Sequence, residues 1–386
     1  MHQKRHMEFG NGSDKTALIG ESMSHKFYVF GAHSRAQTAA FYIQYLYPEA
    51  LIEAYLVNNE EPNAASINGV PVIRLEKNTK LHGEYPVFLG TRSVYHENLA
   101  KTAGEFGIQN IYPVTAQLDL KLRNAYLRKY FSSIGRAFAK IDDCSALGEK
   151  TLGKLPEGKA CVYVAKSVFD KPLQTETKLW DYEKVIQVGA ALTDKRLEEN
   201  GITDAAGENI SDRNKQFCEL TGLYWIWKHA TEDVIGLAHY RRHFILPEDW
   251  KTRMQQYGVD VILPVPLYVA PSVEGNYRER HISKDWDAMM QELKARDSKG
   301  HRRAEEVFAQ NLYSPCNMFI MRREVLNDLC NWMFPVLEAV AARQGTRTDA
   351  YQNRYPGFLS ERLITLFFEM HRDRYKVVYA DKNFLP

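Results

Sequence analysis

The chain is poor in cysteine: five residues, Cys144, Cys161, Cys218, Cys316 and Cys330, are scattered over 386 positions. They form no CxxC pair, and the odd count leaves a thiol over. A disulfide framework and a zinc ribbon are therefore excluded, and a reducing cytoplasm fits best. No stretch approaches the ~18 uninterrupted apolar residues of a membrane span. Residues 1–22 are polar and hold no apolar core of a signal peptide, so they read as a disordered leader with Met23 as a candidate start. Charge of one sign is lacking too: 50 Lys and Arg against 48 Asp and Glu leave +2, which provides no global attraction to nucleic acid, and any cationic function must be local.

What is present is the material of ordinary folded cores. Hydrophobic residues make up 45%, aromatics 12% and charged residues 25%, and the length predicts two domains. From 23 to 117, apolar β-type runs (KFYVF, IEAYLV, VPVIRL, YPVFLG, NIYPV) alternate with helical stretches. That alternation predicts an α/β unit with a Rossmann-like parallel sheet. Its first turn, G-A-H-S-R-A, keeps Gly31 but puts Arg35 and Ala36 where a dinucleotide fingerprint needs glycines, and Asn58 and Asn59 stand where an acidic residue would hold a ribose. A structural or regulatory domain with a degenerate pocket outweighs a working NAD site.

Residues 118–158 read as a basic amphipathic helix and a linker. Leu120, Leu122, Tyr126, Leu127, Tyr130 and Phe131 interleave with Lys121, Arg123, Arg128, Lys129, Arg136 and Lys140. The plain expectation packs the apolar stripe on a sheet, and the sharper one lays it against anionic lipid heads.

Residues 159–386 start a second α/β domain. Strands at CVYVAKSVF and KVIQVGAAL precede a helical stretch from Asn209, Ser211 or Asp212 through Trp227 that holds Glu219. The most informative segment is DVIGLAHYRRHFIL, a strand that delivers His239, Tyr240, Arg241, Arg242 and His243. Arginines at a strand end need an anionic ligand or paired carboxylates, and their planar forks suit phosphate oxygens. The bland alternative is an arginine pair bridging Glu219 and Glu361. Zinc is disfavoured, since His239 and His243 lack a third ligand. Asp285-Trp286-Asp287 is a DxD triplet of the kind that ties a diphosphate to a divalent metal, but it falls in a first helical turn, where acidic residues face the helix dipole. Asn317, just before the strand NMFIM, is placed to orient a sugar hydroxyl. Pro356 and Gly357 read as a turn into a helix whose start carries Glu361 and Arg362, a carboxylate suited to act as a base.

The ordered motifs IQVGAAL, NISDRNKQFCELTGLYWIWK, DVIGLAHYRRHF, DVILP, NMFIM and GFLSERL, over residues 160–386, resemble a bacterial capsule and exopolysaccharide family. That family was long labelled a domain of unknown function and is now regarded as galactofuranosyltransferases. The first domain, with its Asn68 to Val72 step, resembles small Rossmann-like domains that precede transferase domains in surface-glycan enzymes. The resemblance implies a GT-A-like glycosyltransferase domain, a UDP-galactofuranose donor, and a glycan acceptor carried on a lipid diphosphate, for capsule, O-antigen or exopolysaccharide synthesis.

On that expectation the reaction is an inverting single displacement with Glu361 as base. His239, Tyr240, Arg241, Arg242, Asn317 and Arg362 bind the donor, Lys166, Gln187 and Gly189 border its uridine, and Glu219, His281 and Asp285 are acceptor-side candidates. No cofactor is required, although the DxD leaves a divalent metal open. Partners are the UDP-sugar and the glycan acceptor, with no nucleic acid; contact with the inner face of the plasma membrane and self-association stay open. The rival readings are a hexosyltransferase with another donor and a noncatalytic glycan- or nucleotide-sugar-binding scaffold.

Overall fold

A computed structural model of the chain describes residues 26–58, 62–143, 147, 158–174, 178–199 and 201–385. The leader, Met23, Asn59, Cys144 and most of the expected linker lie outside the described residues. The chain divides into two compact units, Met1–Phe138 and Ala139–Pro386.

The first unit runs β1 (Lys26–Phe30), α1 (Ser34–Leu46), β2 (Leu51–Val57), β3 (Ser66–Ile67), β4 (Val70–Arg74), β5 (Val87–Leu89), α2 (His96–Glu105), β6 (Ile111–Pro113) and α3 (Ala116–Ser133). The sheet order is β3-β4-β2-β1-β5-β6, parallel except for the β3-β4 hairpin. That hairpin turns on Asn68 and Gly69, both left-handed at φ 50° and 81°, as an Asn-Gly pair of two positive-φ residues does. Strand order reverses between β1 and β5. There Gly31 takes φ 110°, and a Cβ on Gly90 would lie 2.6 Å from Ala36 Cα, so helix and strand meet closely. Arg35 crosses this crevice to donate to Thr91 O at 3.0 Å.

Helix α3 belongs to the first unit and packs on α1 rather than on a sheet. Tyr126 meets Phe41, Tyr42 and Tyr45 at ring distances of 5.2, 5.1 and 4.8 Å, and Lys129 Nζ donates to Tyr45 O at 2.9 Å. Leu122, Tyr126, Leu127 and Phe131 are buried, while Leu120 and Tyr130 of the same stripe are half-buried.

The second unit contains β7 (Ala160–Lys166), β8 (Glu183–Gln187), β9 (Ile202–Thr203), α4 (Asn214–Phe217), α5 (Leu220–His229), β10 (Val234–His239), β11 (Phe244–Ile245), α6 (Trp250–Gln256), β12 (Val261–Pro264), β13 (Leu267–Tyr268), α7 (Val273–Arg280), α8 (Ser283–Arg296), α9 (Ser298–Phe308), β14 (Leu312–Tyr313), β15 (Phe319–Arg322), α10 (Arg323–Gln344), α11 (Tyr355–Met370) and β16 (Val377–Lys382). Its main sheet has the order β11-β16-β12-β15-β10-β7-β8-β9. Strands β7, β8, β9, β10, β12 and β16 share one direction, and β15 runs against them. One sheet face buries Val162, Val164, Ala238, Ile262, Ile320 and Val378 with Phe244, Trp250 and Met254. These directions put Lys166, Gln187, His239 and Lys382 at one edge together with the entry to β15.

Two local expectations are corrected. The helical stretch beginning near Asn209 is not continuous: Ser211–Arg213 is a 3-10 turn, α4 is four residues long, and Cys218 at φ 50° breaks it before α5. Pro356 and Gly357 do not form a turn ahead of a helix. They lie inside α11, which begins at Tyr355, because proline in a first turn loses no helical hydrogen bond.

Candidate active site

Ligands of open α/β sheets gather outside the carboxyl ends of the parallel strands, and that edge is where the sequence candidates converge. Strand β10 ends at His239 and reverses at once. His239 N donates to Arg242 O at 3.1 Å, Arg242 N donates to His239 O at 2.9 Å, and Leu385 N ties to Arg241 O at 2.8 Å. The turn sends its side chains different ways. Tyr240 packs against the core under the sheet, and its hydroxyl accepts from Arg241 Nε at 3.0 Å. Arg241 Nη2 reaches Lys171 O and Pro172 O at 3.3 and 3.1 Å, so Arg241 holds the loop after β7. Arg242 stacks over the Phe384 ring at 5.3 Å, and its charge acts on His239, Cys316 and Glu361. Among the described residues neither arginine has a carboxylate within ion-pair distance, which removes the bridge to Glu219 and Glu361.

Opposite this turn stand two carboxylates held by the approach to β15. Glu219 precedes α5; its Oε1 accepts from Asn317 Nδ2 at 2.8 Å and lies 3.9 Å from His239 Nε2. Asn317 also donates to Gly357 O at 3.0 Å and accepts from Ser360 Oγ at 2.7 Å. It is 2% exposed, so its amide is occupied in holding α11 and Glu219 and is not offered to a sugar hydroxyl. Cys316 and Asn317 are both left-handed, at φ 75° and 50°, a conformation costing about 1 to 3 kcal/mol each without glycine. This backbone turns the Cys316 N–H onto Glu361 Oε1 at 2.5 Å.

The second oxygen of Glu361 accepts from Arg362 Nη1 at 2.6 Å. Arg362 is 3% exposed and lies 4.3 Å over the Tyr313 ring; it positions Glu361 and is closed off from a donor. Glu361 sits in the second turn of α11, not at the expected helix start, and hydrogen bonds hold it there. Burial raises its pKa above the ordinary carboxylate value, outweighing Arg362 and the Cys316 N–H, with Glu219 adding repulsion. Burial likewise lowers the pKa of His239 below its ordinary value despite Glu219, with Arg242 and Arg354 opposing protonation. His239 is therefore a neutral imidazole at pH 7, and the fixed cations are the arginines.

Other candidates lie apart from this centre. Gln187 is 2% exposed and clamps the next loop, donating to Lys195 O and accepting from Leu197 N, each at 2.9 Å. Gly189, at φ 69°, gives its N–H to Asp204 at 2.8 Å. Asp204, fully buried, also accepts from Ala190 N, Ser211 Oγ and Thr221 Oγ1, which explains why Ser211 does not cap a helix. Lys166 does stay near the centre, acting with Arg241 on Asp170.

The DxD carboxylates diverge to separate arginines. Asp285 is fully buried against Arg347, with one contact at 2.7 Å, and Asp287 pairs with Arg278 at 2.7 Å. His243 is buried on Glu183 at 2.8 Å, away from His239. Among the described residues no three His, Cys, Asp or Glu side chains gather as metal ligands, and no helix is long and apolar enough to cross a membrane. His281 stacks on Phe358 at 4.1 Å and on Tyr351 at 5.7 Å.

Arg354, unannounced by any local motif, donates to Cys218 Sγ at 3.0 Å and acts on Glu219. Asp204 and the left-handed Cys316 are likewise functional positions without a motif. The only signal for Asp204 was an aspartate directly after a short strand.

No curated protein matches the chain. A solved structure does, titled as the apo form of WbbM, a bifunctional glycosyltransferase. It has a TM-score of 0.50, 23% identity, and coverage of 59% of this chain and 45% of that one. The chain thus spans under half the length of that protein, and the likeness establishes a shared α/β fold. Residues 169–372, more than half of the chain, match the family described as Domain of unknown function (DUF4422). This chain is a member of that DUF4422 family.

Proposed function

We propose that the chain is a glycosyltransferase that moves a sugar, galactofuranose on the resemblance of its motifs, from a UDP-sugar to a glycan acceptor of capsule, O-antigen or exopolysaccharide synthesis. The observation that carries this reading is the meeting of Arg242 and His239 from one turn with Glu219 and Glu361, three segments in all, at the carboxyl edge of the parallel strands. A cation on one side, Arg242, and a carboxylate of raised basicity on the other, Glu361, are what displacement of a diphosphate by a hydroxyl needs.

In the proposed reaction the acceptor oxygen attacks the anomeric carbon from the face opposite UDP and its proton passes to Glu361. The bond from that carbon to the diphosphate oxygen breaks, and its electron pair leaves with UDP. Arg242 stabilises the charge that grows on the leaving diphosphate more in the transition state than in the bound donor. Arg241 holds the loop after β7 against which the donor lies, and Gln187 and Gly189 shape the loop bordering uridine. Glu361 keeps room for the proton: a carboxylate has about four lone-pair sites, and the Cys316 N–H and Arg362 use two of them.

A noncatalytic sugar-nucleotide-binding protein is the second reading, favoured by the same clamp on Glu361, which would also suit a purely structural carboxylate. Calorimetry with UDP and UDP release from a panel of UDP-sugars including UDP-galactofuranose separate the two. The proposal expects UDP binding that weakens about tenfold or more in Arg242→Ala and acceptor-dependent UDP release. Binding without release from any donor selects the second reading, and no binding rejects both.

A further inference from the structure

We propose that His281, Tyr351 and Phe358 form the platform on which a sugar ring of the acceptor stacks; this rests on the glycosyl-transfer reading. The three rings form one cluster, with centroids 4.1 Å apart for His281 and Phe358, 5.1 Å for Tyr351 and Phe358, and 5.7 Å for His281 and Tyr351. Tyr351 is 53% exposed, an unusual exposure for a ring packed on two others. The cluster is continuous with the candidate site: Phe358 lies one turn before Glu361 in α11, on the same side of the helix, and its carbonyl accepts from Arg362 Nη1 at 3.0 Å.

The chemistry of the patch selects its occupant. Burial, with Arg362 and Arg280 adding repulsion, pushes His281 down to about 4, so all three rings are neutral at pH 7. Neutral π faces carry a negative quadrupole; Arg354 already lies 5.7 Å over that of Phe358, and the exposed Tyr351 ring is left to meet the C–H face of a sugar. Glu361 belongs to both surroundings: Arg242 acts on its carboxylate, and its partner Arg362 acts on His281. A base between donor charge and acceptor ring is where the acceptor hydroxyl must lose its proton.

Saturation-transfer NMR on the full chain with methyl glycosides of galactose, glucose, mannose and N-acetylglucosamine, beside UDP calorimetry, tests this. At least one glycoside should receive saturation on its ring C–H protons, and Tyr351→Ala should cut that signal roughly fivefold while UDP affinity is unchanged. Phe358→Leu, checked for a parental melting transition, should do the same. The proposal is overturned if no glycoside is saturated, if the signal survives both substitutions, or if Tyr351→Ala weakens UDP instead, which would assign the platform to the donor base. Failure of the parent to bind UDP would count against the glycosyl-transfer reading, leaving the glycoside result to decide the platform by itself.

Discussion

Asn317 Nδ2 donates to Glu219 Oε1 at 2.8 Å from a backbone held at φ 50°. A strained residue thus fixes the carboxylate beside His239, and strain of this kind persists only where the surroundings over-determine it. Asn317→Ala should lose about 1 to 3 kcal/mol of stability through its buried hydrogen bonds, and sugar transfer should slow. Asn317→Gly, which accepts a positive φ freely, should recover part of the stability and none of the transfer. Melting curves and transfer rates on both variants check this; parental transfer in either would remove Asn317 from the positioning of Glu219.

Asp285 supplies a contrast, since among the described residues its fully buried carboxylate is hydrogen-bonded to Arg347 alone. Asp285→Asn leaves a cation without its partner, and such breaks cost about 3 to 5 kcal/mol. Its melting temperature should fall sharply while UDP affinity per folded molecule stays parental. Chelation with EDTA should leave transfer unchanged, because the two DxD carboxylates point to different arginines. A metal-dependent rate lost in Asp285→Asn would restore the metal reading.

Stability should respond to acid through His281, whose pKa is lowered from 6.5 to about 4 by burial first and by Arg362 and Arg280 next. Between those values the unfolded chain binds a proton that the folded one excludes, so stability is full above pH 6.5 and is lost as pH falls toward 4. His239, also lowered by burial, contributes in the same direction. His281→Phe should flatten this part of the melting profile and keep the stacking surface. An unchanged slope would show that His281 titrates normally.

Much of the fold was legible because periodicity reports burial. The alternating runs of the first unit and strands β7, β8, β10 and β15 follow from apolar residues ending in polar or small ones, and Asn68-Gly69 carries its turn in its chemistry. The cationic strand end at His239 to Arg242 was legible for the same reason, since charge is rare where a core strand stops. What escaped depends on contacts distant in sequence. Nothing local to Cys218 or Cys316 announces a positive φ; each is fixed by the tertiary structure around it. The division of labour between Arg241 and Arg242 is invisible too, because a tight turn sends adjacent side chains to opposite surroundings. Arg362 looked like a ligand residue until Tyr313 and Glu361 enclosed it.

Glu361→Gln, assayed on one preparation for melting temperature, UDP affinity and transfer rate, tests the role of Glu361 as a base most directly. The amide keeps the shape but cannot take the proton, so transfer should fall by roughly a hundredfold or more with UDP affinity near parental. In the parent, kcat/KM should rise with pH through a pKa above the ordinary 4.5, as burial raises that of Glu361. Near-parental transfer in Glu361→Gln, or a parallel loss of stability, UDP affinity and transfer, would contradict the account and leave Glu361 as the structural partner of Arg362.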